Sequence, residues 1–175
     1  MTEIQTIGVV GAGAMGRGIA QIAAQAGLRV RLYDTSANAV AAARESLRQT
    51  WDKLAQKGKL TAADAQAALE RVESATALTD MSQCQLVVEA IVERLDVKRD
   101  LFAALEGVVA DDCILASNTS SLSITAIADV PPLVSSLTVS GAVGGRRRRA
   151  PTGQAAIAAL KRARFSAGVA LGETP

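Results

Sequence analysis

The chain lacks several residue types and segments that would point to particular functions. It contains no histidine, so no imidazole is available as a general base. Aromatic residues make up 2% of the sequence, which leaves too few side chains for stacking on nucleic-acid bases. The sequence has no run of about 18 apolar residues, and we therefore predict no membrane span. We also predict no metal site.

The sequence contains two cysteines, Cys84 and Cys113, which are too few for a disulfide framework. Because no signal-peptide pattern is present, we expect both to be buried as small hydrophobes in a reducing cytoplasm. The 175 residues are enough for one domain with a core, and the hydrophobic content of 49% is typical of a globular α/β protein.

A glycine-rich turn is the most informative segment of the sequence. It consists of Gly11, Ala12, Gly13, Ala14, Met15 and Gly16. Residues 6–10 before it form an apolar run that predicts a buried strand, and apolar residues at helical spacing follow it. In this arrangement the first glycine allows a tight turn, the second allows the backbone to approach a pyrophosphate, and the third allows close packing of helix and strand. The pattern predicts a dinucleotide site at the start of the helix. The alternative is a glycine turn that binds no ligand.

An acidic residue lies where a dinucleotide site needs one. Residues 28–33 predict a second strand that ends at Asp34, 23 positions after Gly11. A carboxylate there accepts hydrogen bonds from a ribose 2′-hydroxyl and repels a 2′-phosphate, so the sequence favours NAD over NADP. Arg31 is close in sequence and could accommodate a phosphate, but in a strand it points to the other face. The alternative for Asp34 is a solvated turn acid.

The rest of the pattern alternates strands with helices. Residues 36–72 predict a helical hairpin whose helices begin at the caps Ser36 and Thr61, and strands are predicted at 86–90 and 113–116. We therefore predict an α/β fold, a Rossmann-type doubly wound, mostly parallel sheet with an inserted helical hairpin. The glycine turn, Asp34 and the loops at 90–93 and 117–121 then meet at the carboxyl edge of the sheet, where such folds bind ligands.

Three segments in order resemble the 3-hydroxyacyl-CoA dehydrogenases, most closely the bacterial 3-hydroxybutyryl-CoA and phenylacetate-degradation types. They are VGAGAMGRGIA at 10–20, LVVEAIVE at 86–93 and ASNTSSL at 116–122. The resemblance covers about residues 4–129. It implies an oxidoreductase that transfers hydride between NAD and the C3 hydroxyl of a 3-hydroxyacyl-CoA.

The resemblance also implies residue roles. The residues of the glycine turn would cradle the pyrophosphate, and Asp34 would hold the adenosine ribose. Glu93 and Lys98 match positions that line the NAD pocket near the nicotinamide. Ser120 matches the serine that hydrogen-bonds the reacting oxygen of the substrate, and Asn118 would shape the same loop. Glu93 and Lys98 could instead be a solvated pair at a helix start, and Ser120 a capping hydroxyl.

An acyl-CoA partner is also implied. Lys53, Lys57 and Lys59 match the helical region that meets the CoA end, where ammonium groups could attract phosphates. The alternative is a solvated helix face.

The pattern breaks after Asp129. Residues 1–129 carry 12 basic and 16 acidic side chains, whereas residues 130–175 carry 7 basic and 1 acidic. We predict an NAD-binding domain at 1–129 and a divergent basic tail at 130–175, poorly ordered or partly helical, with no further strand. The resemblance implies a histidine base and a helical second domain that closes the site and makes the dimer. The sequence contains no histidine, and we expect residues 130–175 to be too few for that domain. We therefore expect NAD binding with little or no turnover, a weak or incomplete acyl-CoA site, and no dimer formed through that domain.

Several alternatives stay open. The tail could be a sequence read out of frame, a truncation product or, less favoured because aromatics and a binding motif are missing, a nucleic-acid-binding segment. The domain could instead belong to a β-hydroxyacid dehydrogenase of the 6-phosphogluconate type, or to an NAD-sensing module without catalytic activity.

Overall fold

The computed structural model describes residues 4–118 and the backbone of 137–139. Within these residues, six strands form one parallel sheet in the order β3-β2-β1-β4-β5-β6. The strands are β1 (Thr6–Val10), β2 (Arg29–Tyr33), β3 (Val72–Ser74), β4 (Leu86–Glu89), β5 (Ile114–Ser117) and β6 (Leu137–Val139). The helices are α1 (Ala14–Gln25), α2 (Ala37–Gln56), α3 (Ala62–Glu70) and α4 (Leu95–Glu106), with a 3₁₀ helix at Leu78–Gln83. The predicted Rossmann-type fold is confirmed.

The strand order places a crevice between two halves of the sheet. From β1 the chain moves outward to β2 and β3, then returns to pair β4 with the other side of β1. Ile7 of β1 lies opposite Val30 on one side and Leu86 on the other. The connection after β1 leads to β2 on one side, and the connection after β4 leads to β5 on the other side. A cleft therefore opens at the carboxyl ends of β1 and β4.

Side chains alternate between the two faces of the sheet along each strand, and the core is therefore divided into two layers. Ile7 and Val9 face the layer that holds α1–α3, which includes the buried Trp51 of α2. Val10 faces the other layer, which is built around Phe102 of α4 and Met81. Both faces of β1 are therefore covered, which explains why the strand reads as a continuous apolar run.

Local signals set the helix ends. The hydroxyl of Ser36 accepts a hydrogen bond from Ala39 N–H at 3.3 Å, and that of Thr61 accepts one from Asp64 N–H at 3.0 Å. Gly27 follows α1 with a φ of +89°, a left-handed conformation that glycine adopts without strain. The two predicted caps, Ser36 and Thr61, are confirmed.

The structure corrects two predictions about strands. The second hairpin helix ends at Glu70, and Val72 begins β3 rather than continuing that helix. The prediction that no strand follows Asp129 is wrong, because Leu137–Val139 pairs in parallel with β5, with Thr138 opposite Ala116. Without β6, the open edge of β5 would leave its backbone groups unpaired there. The predicted domain boundary at 129 lies outside the described residues.

Both cysteines are buried thiols, as expected. Burial raises the pKa of Cys84 to about 11 and that of Cys113 to about 12, so both stay protonated at neutral pH. In the part of the chain that the structure describes, no helix combines the length and apolar character that a bilayer crossing requires.

Candidate functional site

The glycine turn joins β1 to α1, and its first glycine is required by the fold. Gly11 has a φ of +108°, and its N–H donates to Tyr33 O at 2.8 Å. A Cβ atom at this position would lie 2.4 Å from Ala90 O, in the loop after β4. Any larger residue would therefore clash with the neighbouring crossover.

Gly16 and Gly13 differ in what surrounds them. A Cβ on Gly16 would lie 1.8 Å from Gly11 O, so the close contact of α1 with the turn excludes any side chain. A Cβ on Gly13 would have no heavy atom of the described residues within 4 Å, apart from its chain neighbours. Packing within the chain therefore explains the first and third glycines, but it does not explain the second.

The start of α1 is open to an anion. Gly13 is the N-cap and supplies no side-chain acceptor, and the fully described first turn of α1 contains no acidic residue. The first N–H groups of an α-helix have no partner within the helix, and the helix dipole makes this end positive. A phosphate group could accept hydrogen bonds from the N–H groups of Ala14, Met15 and Gly16.

Asp34 lies directly beside this turn. It follows β2 and is half-buried. Its Oδ2 accepts a hydrogen bond from Ala12 N–H at 2.8 Å, and its Oδ1 accepts one from Ser36 N–H at 3.0 Å. The carboxylate is thus held next to the open start of α1, where it can accept hydrogen bonds from a sugar hydroxyl.

Arg31 is directed elsewhere. Its Nη1 donates to Asp80 O at 2.7 Å, and its Nε lies 3.9 Å from the carboxylate of Glu73. These contacts hold the guanidinium against the 3₁₀ helix and β3. This placement does not favour a role for Arg31 in binding a 2′-phosphate.

A buried polar cluster lies at the ends of β4 and β5. It consists of Glu89, Lys98 and Ser117, whose exposed fractions are all 0%. The Lys98 ammonium donates to Glu89 Oε1 at 2.7 Å and to Glu89 Oε2 at 2.8 Å. The Ser117 hydroxyl donates to Glu89 Oε2 at 2.5 Å. The cluster therefore connects β4, β5 and the first turn of α4.

The cluster also joins the two loops at this edge. Glu89 Oε1 accepts from Ile91 N–H at 2.7 Å, and the main-chain oxygen of Glu89 accepts from Asn118 N–H at 2.8 Å. The carboxylate of Glu93 is 38% exposed, and its Oε2 lies 3.2 Å from the Lys98 ammonium. The loops after β4 and β5 are thus fixed by the same buried glutamate.

The structure therefore brings the predicted residues together in two groups. Asp34 lies against the glycine turn, while Glu93 and Lys98 lie together beside β4. Lys98 is buried with its ammonium among three carboxylate oxygens, so its assignment to the wall of an NAD pocket stays a prediction, without an exposed surface to support it. Asn118 is half-buried, whereas Ser120 lies outside the described residues.

Sequence reasoning missed Glu89 and Ser117. Each ends a run of apolar strand residues, and a polar residue at the last position of a buried strand could have identified them. Lys53, Lys57 and Lys59 are exposed around the end of α2, which is compatible both with an anion-binding surface and with a solvated face.

The fold and the glycine turn with its partner Asp34 define a Rossmann-type dinucleotide-binding domain. Comparison with known proteins identifies the family. Residues 6–132 match the family described as "3-hydroxyacyl-CoA dehydrogenase, NAD binding domain". The chain belongs to the 3-hydroxyacyl-CoA dehydrogenase family, and the matched part is its NAD-binding domain.

Individual relatives agree with this assignment. The chain is 43% identical over 128 residues to 3-hydroxyadipyl-CoA dehydrogenase of Escherichia coli (strain K12), an alignment covering 73% of this chain and 27% of the relative. It is 47% identical over 121 residues to a probable 3-hydroxybutyryl-CoA dehydrogenase of Deinococcus radiodurans, covering 69% of this chain and 43% of the relative. The chain thus spans less than half the length of these relatives.

Solved structures give the same result. The crystal structure of 3-hydroxybutyryl-CoA dehydrogenase from Escherichia coli K12 matches with a TM-score of 0.75 and 40% identity, covering 80% of this chain and 29% of that chain. The structure of (S)-3-hydroxybutyryl-CoA dehydrogenase from Ralstonia eutropha matches with a TM-score of 0.70 and 42% identity, covering 72% of this chain and 44% of that chain.

Proposed function

We propose that the chain binds NAD across the carboxyl ends of β2, β1 and β4. The observation that carries this proposal is the contact between the Asp34 carboxylate and the glycine turn, beside a helix start that is open to anions. The pyrophosphate would lie on the N–H groups of 13–16, and Asp34 would accept hydrogen bonds from the adenosine ribose. The free space at Gly13 supports this placement, because a bound phosphate would fill it.

The nicotinamide half would lie at the ends of β4 and β5. A doubly wound sheet binds one nucleotide on each side of the switch point, and β1 and β2 supply the adenosine side. Glu93 and Lys98 would line or support the nicotinamide pocket. Asn118 would shape the next loop, and Ser120 would donate a hydrogen bond to the reacting oxygen of the substrate. Met15 and Val92 are 59% and 61% exposed, and this apolar surface suits a bound coenzyme.

For the protein to which this domain belongs, the proposed reaction is hydride transfer between NAD and the C3 hydroxyl of a 3-hydroxyacyl-CoA. When bound, NAD supplies the hydride acceptor, and the residues of this domain bind and orient it. The names of the relatives support this function over a 6-phosphogluconate-type dehydrogenase or a sensing module. An acyl-CoA is the proposed partner, and the two buried thiols suit a cytoplasmic location.

Substitution of Asp34 tests the coenzyme site. In calorimetric titrations we expect the unmodified chain to bind NAD more tightly than NADP. We expect Asp34→Ala to weaken NAD binding about 10- to 100-fold, because charge-assisted hydrogen bonds to the ribose are lost. Binding of NADP should weaken less, because the repulsion of its 2′-phosphate is removed.

Asp111→Ala is the matched control, since Asp111 is an exposed acid before β5, at the opposite edge of the sheet. It should leave both affinities unchanged. Equal affinity of the unmodified chain for NAD and NADP, or full NAD affinity in Asp34→Ala, would contradict the proposed role of Asp34.

Turnover by the 175-residue chain is a separate prediction. With NAD and 3-hydroxybutyryl-CoA we expect NADH formation no faster than in the blank, because the sequence contains no histidine to accept the hydroxyl proton. A positioned general base contributes about 10²- to 10⁴-fold to such a step. NADH absorbance is the measurement, and the solved 3-hydroxybutyryl-CoA dehydrogenase of Escherichia coli is the positive control. Substrate-dependent NADH formation clearly above the blank would show that another group serves as base.

A further inference from the structure

We propose that Glu89 and Ser117 are positioning residues for the nicotinamide half of the site. They are buried and would not touch the coenzyme. Instead, they would hold the loops after β4 and β5 in the geometry that receives it. This inference rests on the proposed NAD site and deepens it, since it states which residues support each half.

The first argument is the energetic cost of the cluster. Lys98 and Glu89 are both fully buried in a layer of apolar side chains. Desolvation of such a pair often cancels its Coulomb attraction, and apolar residues of similar size can replace a buried ion pair with no loss of stability. Stability alone therefore does not explain why charged residues occupy these positions.

The second argument is location. Glu89 is the last residue of β4, Ser117 is the last residue of β5, and Lys98 lies in the first turns of α4. All three therefore lie at the carboxyl edge of the sheet, where doubly wound folds bind ligands.

The third argument is the set of groups that Glu89 holds. Its Oε1 fixes the N–H of Ile91 and its Oε2 fixes the Ser117 hydroxyl, next to the point where Asn118 N–H continues the β4–β5 ladder to the main-chain oxygen of Glu89. The Glu89 carboxylate thus ties the second residue of the loop after β4 to the residue at which the loop after β5 begins. A lysine ammonium has three N–H donors, and here three carboxylate oxygens lie within 3.2 Å of it, the third belonging to Glu93. Lys98 thereby connects Glu89 to the half-exposed Glu93.

The cluster is separate from the groups proposed to bind the adenosine half. The side chain of Asp34 is held by Ala12 N–H and Ser36 N–H, whereas the side chains of Glu89 and Ser117 bond to each other, to Lys98 and to Ile91 N–H. Weakening the cluster should therefore affect the coenzyme unevenly. Binding of the nicotinamide end should suffer, while binding of ADP, which carries only the adenosine end and the diphosphate, should not.

The test is the full chain with Ser117→Ala, titrated with NAD and with ADP. We expect NAD affinity to fall about 3- to 10-fold, because Glu89 loses one hydrogen-bond donor and its side chain no longer links the loop after β4 to the end of β5. ADP affinity should stay within about twofold. The fluorescence of bound NADH should also change, because this emission reports the surroundings of the nicotinamide. Ser117→Thr keeps the hydroxyl and should restore the wild-type values.

Ser74→Ala is the matched control, because Ser74 also ends a strand of the sheet but is exposed. It should change neither affinity nor emission.

Glu89→Gln provides a second variant, which keeps an acceptor for Ile91 but removes the charge opposite Lys98, and it should show the same NAD-specific loss. Equal losses for NAD and ADP in Ser117→Ala, or no loss with unchanged NADH emission, would overturn the inference. Failure of the unmodified chain to bind either ligand would instead overturn the proposed NAD site itself, and the inference with it.

Discussion

Gly13→Ala is expected to weaken NAD binding about 10- to 100-fold while leaving the fold intact, since overfilling a packed contact costs about 1–3 kcal/mol. The added Cβ would meet no heavy atom of the described chain within 4 Å, apart from its chain neighbours, and the φ of −67° at Gly13 suits any residue. The cost should therefore arise only when a pyrophosphate approaches the backbone. Calorimetry measures the affinity, and urea denaturation measures the free energy of unfolding.

Two other glycines provide the comparison. Gly18→Ala lies in the interior of the same helix, where the added Cβ meets no heavy atom of the described residues within 4 Å apart from its chain neighbours and the backbone of its own helix. It should raise the free energy of unfolding by about 0.5–1 kcal/mol and leave NAD affinity unchanged. Gly16→Ala should destabilise the fold itself, because its Cβ would lie 1.8 Å from Gly11 O. Wild-type NAD affinity in Gly13→Ala would show that the pyrophosphate lies elsewhere.

Lys98→Met is expected to lower the free energy of unfolding by about 3–5 kcal/mol, because it leaves the buried Glu89 without its cation. Methionine keeps most of the apolar part of the lysine side chain. The decrease in the free energy of unfolding therefore reports the loss of the charge rather than the creation of a cavity. Urea denaturation followed by circular dichroism is the measurement. Since the free energy of unfolding of small domains is only about 5–15 kcal/mol, this decrease should move the midpoint of urea denaturation to a much lower urea concentration.

A double substitution separates charge from packing in this cluster. Glu89→Gln combined with Lys98→Met removes both charges and should recover most of the lost stability, as neutral replacements of buried ion pairs commonly do. Lys59→Met changes an exposed lysine and should alter the free energy of unfolding by at most about 0.5 kcal/mol. A loss below about 1 kcal/mol in Lys98→Met would mean that water or a local rearrangement compensates Glu89.

Features encoded by short, local patterns could be predicted from the sequence. The run at 6–10 and the spacing of the glycines are local patterns of this kind. Asp34 contacts Ala12 N–H 22 positions away, but it could still be predicted because the strand–turn–helix–strand order fixes where the second strand ends. The caps Ser36 and Thr61 are local in the same way, because each hydroxyl binds an N–H three residues later.

Features that depend on distant segments were missed. Val72 fits the helical spacing of α3, and only its pairing opposite Val30 shows that it begins a strand. The polar ends of two buried strands could have singled out Glu89 and Ser117, but the role of Glu89 depends on Lys98 and Ser117, which lie on two other elements, so their contact could not be predicted. The ion pair with Glu89 explains why Lys98 is fully buried, although the resemblance places it in the wall of a pocket.

The contact between Gly11 and the carbonyl of Ala90 has a consequence for redesign of the domain. Because the two loops lie against each other there, lengthening the segment at 90–94 would push on the glycine turn as well as on its own side of the cleft. At the tip of the α2–α3 hairpin, at 57–61, Lys57 and Lys59 are exposed, and Leu60 packs against the core. Grafted peptides or altered substrate-facing surfaces are therefore better placed at the hairpin tip than at the second crossover.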